Sequence, residues 1–468
     1  MSSERALPAG LLSALRAAIH PGALIDDPDR LVAYESDALT TSRGLPDAAV
    51  FPSDRDELIR VVRLLHEARV PFVTRGAGTG LAGGAVADGG VLVCTTRMHR
   101  ILEVDESGRT ALVEPGALTD TINEAAQKYG LRYLPDPASA AACTIGGNVA
   151  MNSGGPHCLK YGVTSDHVAA LEVILPDGTP VVVGRGEDGG LDLAGVFTGS
   201  EGTLGVISRI RVDLAPVAPE VRTFLALFDS LADAGLAVGK IFEAGIVPVA
   251  LELVDHATIA VVEASVFAAG LPLDTEAALV VECEGEPGEA EEDLEEAVTA
   301  VMECGAREVR RARDESERLA IWQARKKAYG ALGRLAPDVF VQDAAVPRST
   351  LPDLLPRFGE IARRHDLRLA NFFHAGDGNV HPNLLFDRND PDQVFRVRAA
   401  GAEIMALCVE AGGTITGEHG VGADKVPYMT LVFGEAELAV MRSLRDHTDR
   451  FGLANPGKLL PEPTGEGP

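Results

Sequence analysis

The chain has 468 residues, 46% of them hydrophobic and 24% charged; this is ordinary for a globular protein and too long for one core, so two or more packed units are expected. Lys and Arg number 42 against 69 Asp and Glu, and a formal charge of −27 repels phosphate backbones and anionic lipid alike; neither a nucleic-acid partner nor a basic membrane-docking patch is expected. No apolar run approaches the roughly 20 residues of a spanning helix, so a cytoplasmic chain with no direct membrane span is expected.

The first segment, "MSSERALPAGLLSALRAAIHPG", has a short, interrupted apolar stretch and an early Glu4, and reads as an amphipathic helix rather than a signal peptide. Helical spacing of the apolar positions in "DRDELIRVVRLLHEARV" predicts a helix, followed by strands at "VPFVTRG" and "GVLVCTT". Residues 171–183, "LEVILPDGTPVVV", predict a hairpin that turns at Pro-Asp-Gly. Pro216 and Pro219 mark a boundary near residue 217. Beyond it longer helices alternate with strands, among them the acidic, solvent-facing helix "GEPGEAEEDLEEAVTAVMECG". The tail "PEPTGEGP" is expected to be disordered. Frequent hairpins without strict strand–helix–strand alternation point to an α+β class. Cys94, Cys143, Cys158, Cys283, Cys304 and Cys408 are scattered with no C-x-x-C, which predicts buried thiols in a reducing compartment rather than disulfides, a thiolate zinc site or an iron–sulfur cluster.

In "VTRGAGTGLAGGAV", Gly76, Gly78 and Gly80 directly follow a strand, but the continuation is too glycine-rich for the helix of a dinucleotide fingerprint, and no G-K-[ST] follows. What remains is a nest of backbone N–H groups able to cradle a pyrophosphate without cationic side chains, or, taken alone, a bare glycine turn. Two further loops of this kind follow. Residues 135–155 carry Ser139, Thr144, Gly146, Gly147 and Asn148, and residues 197–207 read "FTGSEGTLGVI". Three such loops suggest one long ligand threaded through the unit.

"HAGDGNVH" places His374 and His381 at equal distances from Asp377-Gly378, with apolar strand-like residues on both sides. In a two-residue hairpin the histidines would oppose each other with Cβ atoms about 4.5–5.5 Å apart, close enough to share one metal ion. "GGTITGEHGVG" supplies Glu418 as a third ligand, and its neighbour His419 would point to the other side of an extended segment, free to act as a base. Two histidines, a carboxylate and an open position suit Lewis-acid chemistry on an oxygen substrate.

Residues 40–215 resemble the flavin-binding domain of the vanillyl-alcohol oxidase/p-cresol methylhydroxylase superfamily through "RGAGTGLAGG", "VEPGA", "PDPAS", "TIGGNVAMNSGG", "KYG" and "GSEGTLGVI". The resemblance implies a two-part FAD-binding domain joined to an α+β cap with an antiparallel sheet. It assigns Arg75, Gly76, Ala77, Gly78, Thr79, Gly80, Pro135, Ser139, Thr144, Gly146, Gly147, Asn148, Asn152 and Ser153 to the FAD pyrophosphate and flavin. Glu201, Thr203, Gly205 and Ile207 would belong to the same cofactor wall, and "LANPGKLL" would bring Asn455 and Lys458 to the flavin ring. The implied organisation is an FAD domain over 1–217, a cap over 218–420 and a segment over 421–468 that returns to the FAD domain. His157 and Cys158 are the local candidates for covalent attachment, but a similar His-Cys pair accompanies non-covalent FAD in the subfamily that the second half resembles.

That half resembles the D subunit of bacterial glycolate oxidase and the FAD-linked D-lactate and D-2-hydroxyglutarate dehydrogenases, through "HAGDGNVH", "GEHG" and "WQARKKAYGALGRLAPDVFVQDAAVPR". The resemblance implies a divalent metal, zinc or similar, on His374, His381 and Glu418, with His419 as base, Asn383 as a substrate contact and Arg325 as a carboxylate clamp. Where the hydroxyglutarate enzymes carry a lysine for the distal carboxylate, this chain has Val341, which favours a small acid. The implied reaction is oxidation of a D-2-hydroxy acid, glycolate first and D-lactate second, with hydride to flavin N5 and electrons onward to a quinone or partner protein. Partner subunits, one bearing iron–sulfur clusters, would then provide any membrane association. A non-catalytic flavin-binding subunit, a hydroxyglutarate dehydrogenase and a metal-dependent hydrolase with purely structural glycine loops remain the alternatives.

Overall fold

A computed structural model describes residues 7–186 and 190–463 and divides them into two compact units, each built as its composition suggests. The first comprises Met1–Gly154, Val163–Val217 and His419–Pro468, and the second Gly155–Gly162 and Ala218–Glu418. The first unit expected over 1–217 is therefore interrupted, because Gly155–Gly162, with His157 and Cys158, clusters with the second. Residues 1–6 of the N-terminal segment and 464–468 of the tail lie outside the described residues.

In the first unit, helix α1 (Leu11–Ala18) buries Leu11, Leu15 and Ala18. A four-stranded sheet is formed by β1 (Leu24–Ile25), β2 (Ala48–Val50), β3 (Phe72–Arg75) and β4 (Val91–Cys94), in the order β1-β2-β4-β3 with the last three parallel. Helix α2 (Arg55–Ala68) starts where Asp54 accepts the Glu57 N–H at 2.9 Å and ends at Arg69 in a left-handed conformation. Its apolar stripe, Leu58, Val61, Val62 and Leu65, is fully buried, worth about 1.5–3 kcal/mol per side chain.

An antiparallel sheet of five strands follows, in the order β5-β6-β9-β7-β8 from β5 (Ile101–Asp105), β6 (Thr110–Val113), β7 (Val168–Ile174), β8 (Pro180–Gly184) and β9 (Val206–Asp213). The hairpin expected at Pro-Asp-Gly joins β7 to β8, with Gly178 left-handed and Asp177 accepting from the Thr179 N–H. Helix α3 (Ile145–Met151) precedes β7 in the chain. No helix follows β3: residues 76–90 run as turns and bends, as their glycine content predicts. The C-terminal segment pairs back onto β3, where Phe72 N–H donates to Leu453 O and Asn455 N–H to Phe72 O, both at 2.8 Å.

The second unit is a nine-stranded sheet with helices on it. Its strands are β10 (Glu220–Phe228), β11 (Ala250–Asp255), β12 (Ala277–Gly285), β13 (Glu308–Arg311), β14 (Asp338–Val341), β15 (Ala344–Ala345), β16 (Arg368–His374), β17 (Asn379–Val380) and β18 (Pro382–Phe386). The order is β13-β10-β12-β11-β16-β17-β15, with β18 pairing both β14 and β16, and every pair is antiparallel. Strands β11 and β12 are buried along nearly their whole length and β10 from Thr223 onward, which explains their mostly apolar sequence, broken by buried acids such as Glu252 and Glu282. One face packs Leu225, Val254, Val280 and Phe372 against residues of helices α4 (His256–Glu263) and α5 (Glu315–Lys326). The acidic helix expected near 286–305 lies between them in the chain, at Glu289–Glu303.

Candidate active site

His374 ends β16 and pairs with Asn379, while Asn371 pairs with Pro382. The turn is therefore four residues, Ala375–Gly378, and the two-residue hairpin centred on Asp377-Gly378 is overturned. Two local causes are visible. Asp377 accepts the Asn379 N–H at 3.0 Å in an Asx turn, and Gly378 is left-handed, where an added Cβ would lie 2.1 Å from Val346 O. This register places His381 across from Phe372 rather than from His374. Alternate residues share a face, so the two imidazoles remain diagonal neighbours on one side, with ring centroids 5.3 Å apart.

Glu418 Oε1 lies 3.1 Å from His374 Nε2 and 3.1 Å from His381 Nε2. The three ligand atoms fall within 4.8 Å of one another. Each ring is fixed from behind: His374 Nδ1 is 2.6 Å from Glu252 Oε1, and His381 Nδ1 is 3.3 Å from Gln342 O. Acceptors on both Nδ1 atoms orient the two rings so that both Nε2 atoms face the Glu418 oxygen. Glu418 is set by Asp343, whose carboxylate accepts from Thr416 Oγ1 at 2.7 Å and from the Gly417 and Glu418 N–H groups at 3.1 Å each.

Electrostatics mark the same place. Burial pulls the His374 pKa down, but the charges of Glu252 and Glu418 outweigh it and raise it well above the usual imidazole range. Burial likewise pushes Glu418 up, and His374 and His381 overcome it, holding the carboxyl well below its ordinary value. The carboxylates of Glu252 and Glu418 around the His374 ring give this place the negative field that a cation needs. Two inward imidazole nitrogens and one carboxylate oxygen, each supported from behind, fit a divalent metal of the zinc or non-haem type.

Arg325 is only 7% exposed and shares Glu252 with His374, with Nη2 2.5 Å from Glu252 Oε2 and the guanidinium over the Phe372 ring. Its Nε has no partner among the described residues. Asn383 is fully buried; its Nδ2 donates to Ala370 O and His381 O, and its Oδ1 has no partner among the described residues. Val341 stands directly across from Asn383 in the β14–β18 pair. His419 follows Glu418 in the chain and opens the part of the first unit that closes the sequence. Glu252 and Asp343 are absent from the residues singled out by motif. Their signal was an acid inside a buried apolar strand ("ALELVD") or beside one ("VFVQDAAV"), where a charge must be paired.

In the first unit the glycine loops approach one another as backbone. A Cβ on Gly76 would lie 2.2 Å from Thr144 Oγ1, one on Gly146 would meet Pro115 O at 2.8 Å, and one on left-handed Gly78 would lie 2.1 Å from Arg75 Nη2. Thr144 caps α3 through the Gly147 N–H, and Gly80 opens onto space bounded by Asp37 at 4.0 Å. Several expected cofactor side chains are engaged within the unit. Asn148 donates to Thr119, Asn152 accepts from the Ser165 N–H, Thr203 donates to Ser200 O, and Ser153 O accepts from Thr164. The Ser139 carbonyl closes the turn of Ala142 and Cys143, and a Cβ on Gly205 would strike Ile174 O, while Ile207 is buried in β9. Glu201 accepts the Val421 and Gly422 N–H groups at 2.7 Å each, and burial pushes its pKa up to about 7. Asn455 Nδ2 donates to Gly84 O and Glu201 O. Burial lowers Lys458. No contact distinguishes Ala77, Thr79 or Pro135 among the described residues. Thr74 Oγ1, close to Gly202, and Asn455 Oδ1 are buried without partners among the described residues, and this glycine-walled cradle with open polar atoms fits a bound FAD.

Comparison with known proteins accounts for both halves. A model of FAD linked oxidases, C-terminal domain, matches residues 218–459, and one of the FAD binding domain matches 46–184. The chain belongs to the FAD-linked oxidases. It is similar to glycolate oxidase subunit GlcD of Escherichia coli (strain K12), 42% identical over 96% of this chain and 91% of the relative. GlcD of Bacillus subtilis (strain 168) is 40% identical over 92% of each chain, and a D-lactate dehydrogenase of Anaerostipes hadrus is 32% identical over 88% and 89%. Among solved structures, p-cresol methylhydroxylase with substrate bound matches at TM-score 0.80 and 17% identity over 96% of each chain. A 4-ethylphenol oxidase from Gulosibacter chungangensis matches at 0.80 and 21%, over 97% of each. These likenesses establish the α+β fold of an FAD-linked oxidoreductase with a p-cresol-methylhydroxylase-type flavin domain. No helix among the described residues is long and apolar enough to cross a membrane.

Proposed function

We propose that this FAD-linked oxidase converts a small D-2-hydroxy acid, glycolate first and D-lactate second, to its 2-oxo acid. The observation that carries the reading is the convergence of His374 Nε2 and His381 Nε2 on one Glu418 oxygen, with both Nδ1 atoms held from behind. When bound, FAD supplies the two-electron redox chemistry and a divalent ion supplies Lewis acidity toward the α-oxygen. The chain's own residues do the rest. His374, His381 and Glu418 hold the ion, Arg325 binds the substrate carboxylate, and Asn383, through its open Oδ1, orients the substrate. His419 would take the hydroxyl proton, and the α-hydrogen would leave with its electron pair to FAD as the two-electron acceptor, so that the substrate loses one proton and one hydride.

Apolar Val341 across from Asn383 supports a small acid over a dicarboxylate. Similarity to proteins named as oxidase subunits supports partner subunits; the proposal adds that they receive the electrons, that one bears iron–sulfur clusters and that the chain acts in the cytoplasm. An anaerobic visible spectrum of metal-replete protein tests the reading. Bleaching of the flavin peaks by glycolate or D-lactate, and not by D-2-hydroxyglutarate, is the expected result; a flavin that stays oxidised with all three acids would overturn it.

A further inference from the structure

Helix α5 carries Arg318, Trp322 and Arg325 at positions that recur on one helical face. That face meets two buried carboxylates on neighbouring strands. Glu252 and Glu282 flank the same cross-strand neighbour, because Glu252 pairs with Val280 and Glu282 lies two residues along β12, so both point to the α5 side. Glu252 takes Arg325. Glu282 takes the other two: Trp322 Nε1 donates to its Oε2 at 2.6 Å and Arg318 Nη1 at 3.0 Å, and Thr223 Oγ1 donates to the same oxygen at 2.6 Å. Its Oε1 lies 3.5 Å from His157 Nε2, and the His157 ring rests against Trp322 with centroids 5.7 Å apart. Burial would raise the Glu282 pKa, but the bonds from His157, Thr223 and Trp322 hold it at about 2, so the carboxylate is charged at every working pH.

Trp322 and Ala324 pack into the apolar cluster on the sheet, and an open pocket of about 360 Å³ runs along the same helix, walled by Ile321, Ala324 and Arg325 from the helix and by Leu225, Val254 and Val280 from the sheet. Apolar contact is non-directional and does not by itself fix the helix along the sheet. Directional bonds to strand atoms do.

We infer that Glu282 is a positioning residue for substrate binding: by anchoring Trp322 and Arg318 it fixes the register of α5, and thereby the place of the Arg325 guanidinium. The inference rests on the reading of Arg325 as the carboxylate clamp. Displacement of a binding group by about 1 Å can cost up to about 100-fold, and here the loss falls on substrate affinity rather than on the ion, because Glu252 still holds His374.

The test uses the full chain with FAD and metal, and compares Glu282→Ala, Glu282→Gln, Trp322→Phe and Arg325→Lys. Glu282→Ala raises KM for glycolate or D-lactate about tenfold or more, with kcat and metal per flavin close to the parent. Trp322→Phe, which removes the N–H donor together with part of the ring, moves KM the same way by less, and decides the matter if Glu282→Ala does not fold, with thermal unfolding as the control for lost packing. Glu282→Gln, whose carbonyl can still accept, restores most of the affinity. The inference fails if KM is unchanged in Glu282→Ala and Trp322→Phe while Arg325→Lys raises it, or if kcat and metal content fall in step with KM. An unchanged KM in Arg325→Lys would instead remove the clamp reading itself, and the inference with it.

Discussion

Replacing Glu252 by glutamine keeps the shape of the side chain and removes only its charge. In the native protein this carboxylate joins two cations: Oε1 is 2.6 Å from His374 Nδ1, and Oε2 is 2.5 Å from Arg325. Glutamine can still accept from His374 through its carbonyl, so the tautomer that turns Nε2 inward survives. What is lost is the charge that makes the imidazole a stronger donor to a metal, an effect worth about 10–100-fold in affinity for carboxylate–histidine–metal arrangements. That range corresponds to about 1.4–2.8 kcal/mol. Arg325, buried and left without its counter-charge, adds a loss of stability of about 3–5 kcal/mol. The assay is zinc titration of the flavin-loaded protein against a competing chelator, with thermal unfolding alongside and flavin absorbance as the control for an intact first unit. A Glu252→Gln protein that binds zinc within threefold of the parent, roughly 0.6 kcal/mol, would refute the idea that Glu252 tunes this centre.

Three other outcomes follow from the same geometry. Asp343→Asn places an amide against donors that a carboxylate now accepts from, at a cost of about 1–3 kcal/mol at the 416–418 segment, so metal content should fall while flavin content stays, as metal and flavin assays on one sample will show. Gly78→Ala puts a Cβ 2.1 Å from Arg75 Nη2 at a φ of +74°, and should cost more than about 1 kcal/mol and lower the flavin-to-protein ratio; a ratio equal to the parent's would show that the loop is not part of the cradle. The depressed pKa of Glu282 contributes stability that is full above its ordinary value of 4.5 and disappears as pH falls toward about 2, on the order of 3 kcal/mol in total. Glu282→Gln should therefore flatten the fall of the unfolding midpoint between pH 5 and pH 3, measured by calorimetry.

What the sequence makes legible depends on how far a residue's meaning travels along the chain. His374, His381 and Glu418 stand out because few residue types bind metals and two of the three share one short motif. Their exact pairing did not, because Gly378 sits tight against Val346, more than thirty positions earlier, whose N–H donates to Gly378 O at 2.9 Å and whose carbonyl leaves no room for a Cβ. The hairpin at Pro-Asp-Gly was legible for the opposite reason: Asp177, Gly178 and Thr179 close it among themselves. The residues that went unread hold the ones that were read. Glu252 acts on a histidine 122 positions away, Asp343 on a loop about 75 away, and Glu282 on Trp322, 40 away.

These hidden residues are nevertheless the ones that a fold alone does not require. A sheet face that buries Glu252 and Glu282 among Leu225, Val254 and Val280 spends burial on charge, and apolar residues in such places commonly leave stability equal or higher. Each carboxylate is kept where it can hold a cationic or N–H donor side chain of α5 in a fixed place, and one of them also backs a metal-binding histidine. Buried acids in otherwise apolar strands are thus the sequence signal for the supporting layer of this site, as the paired histidines are for its ligands.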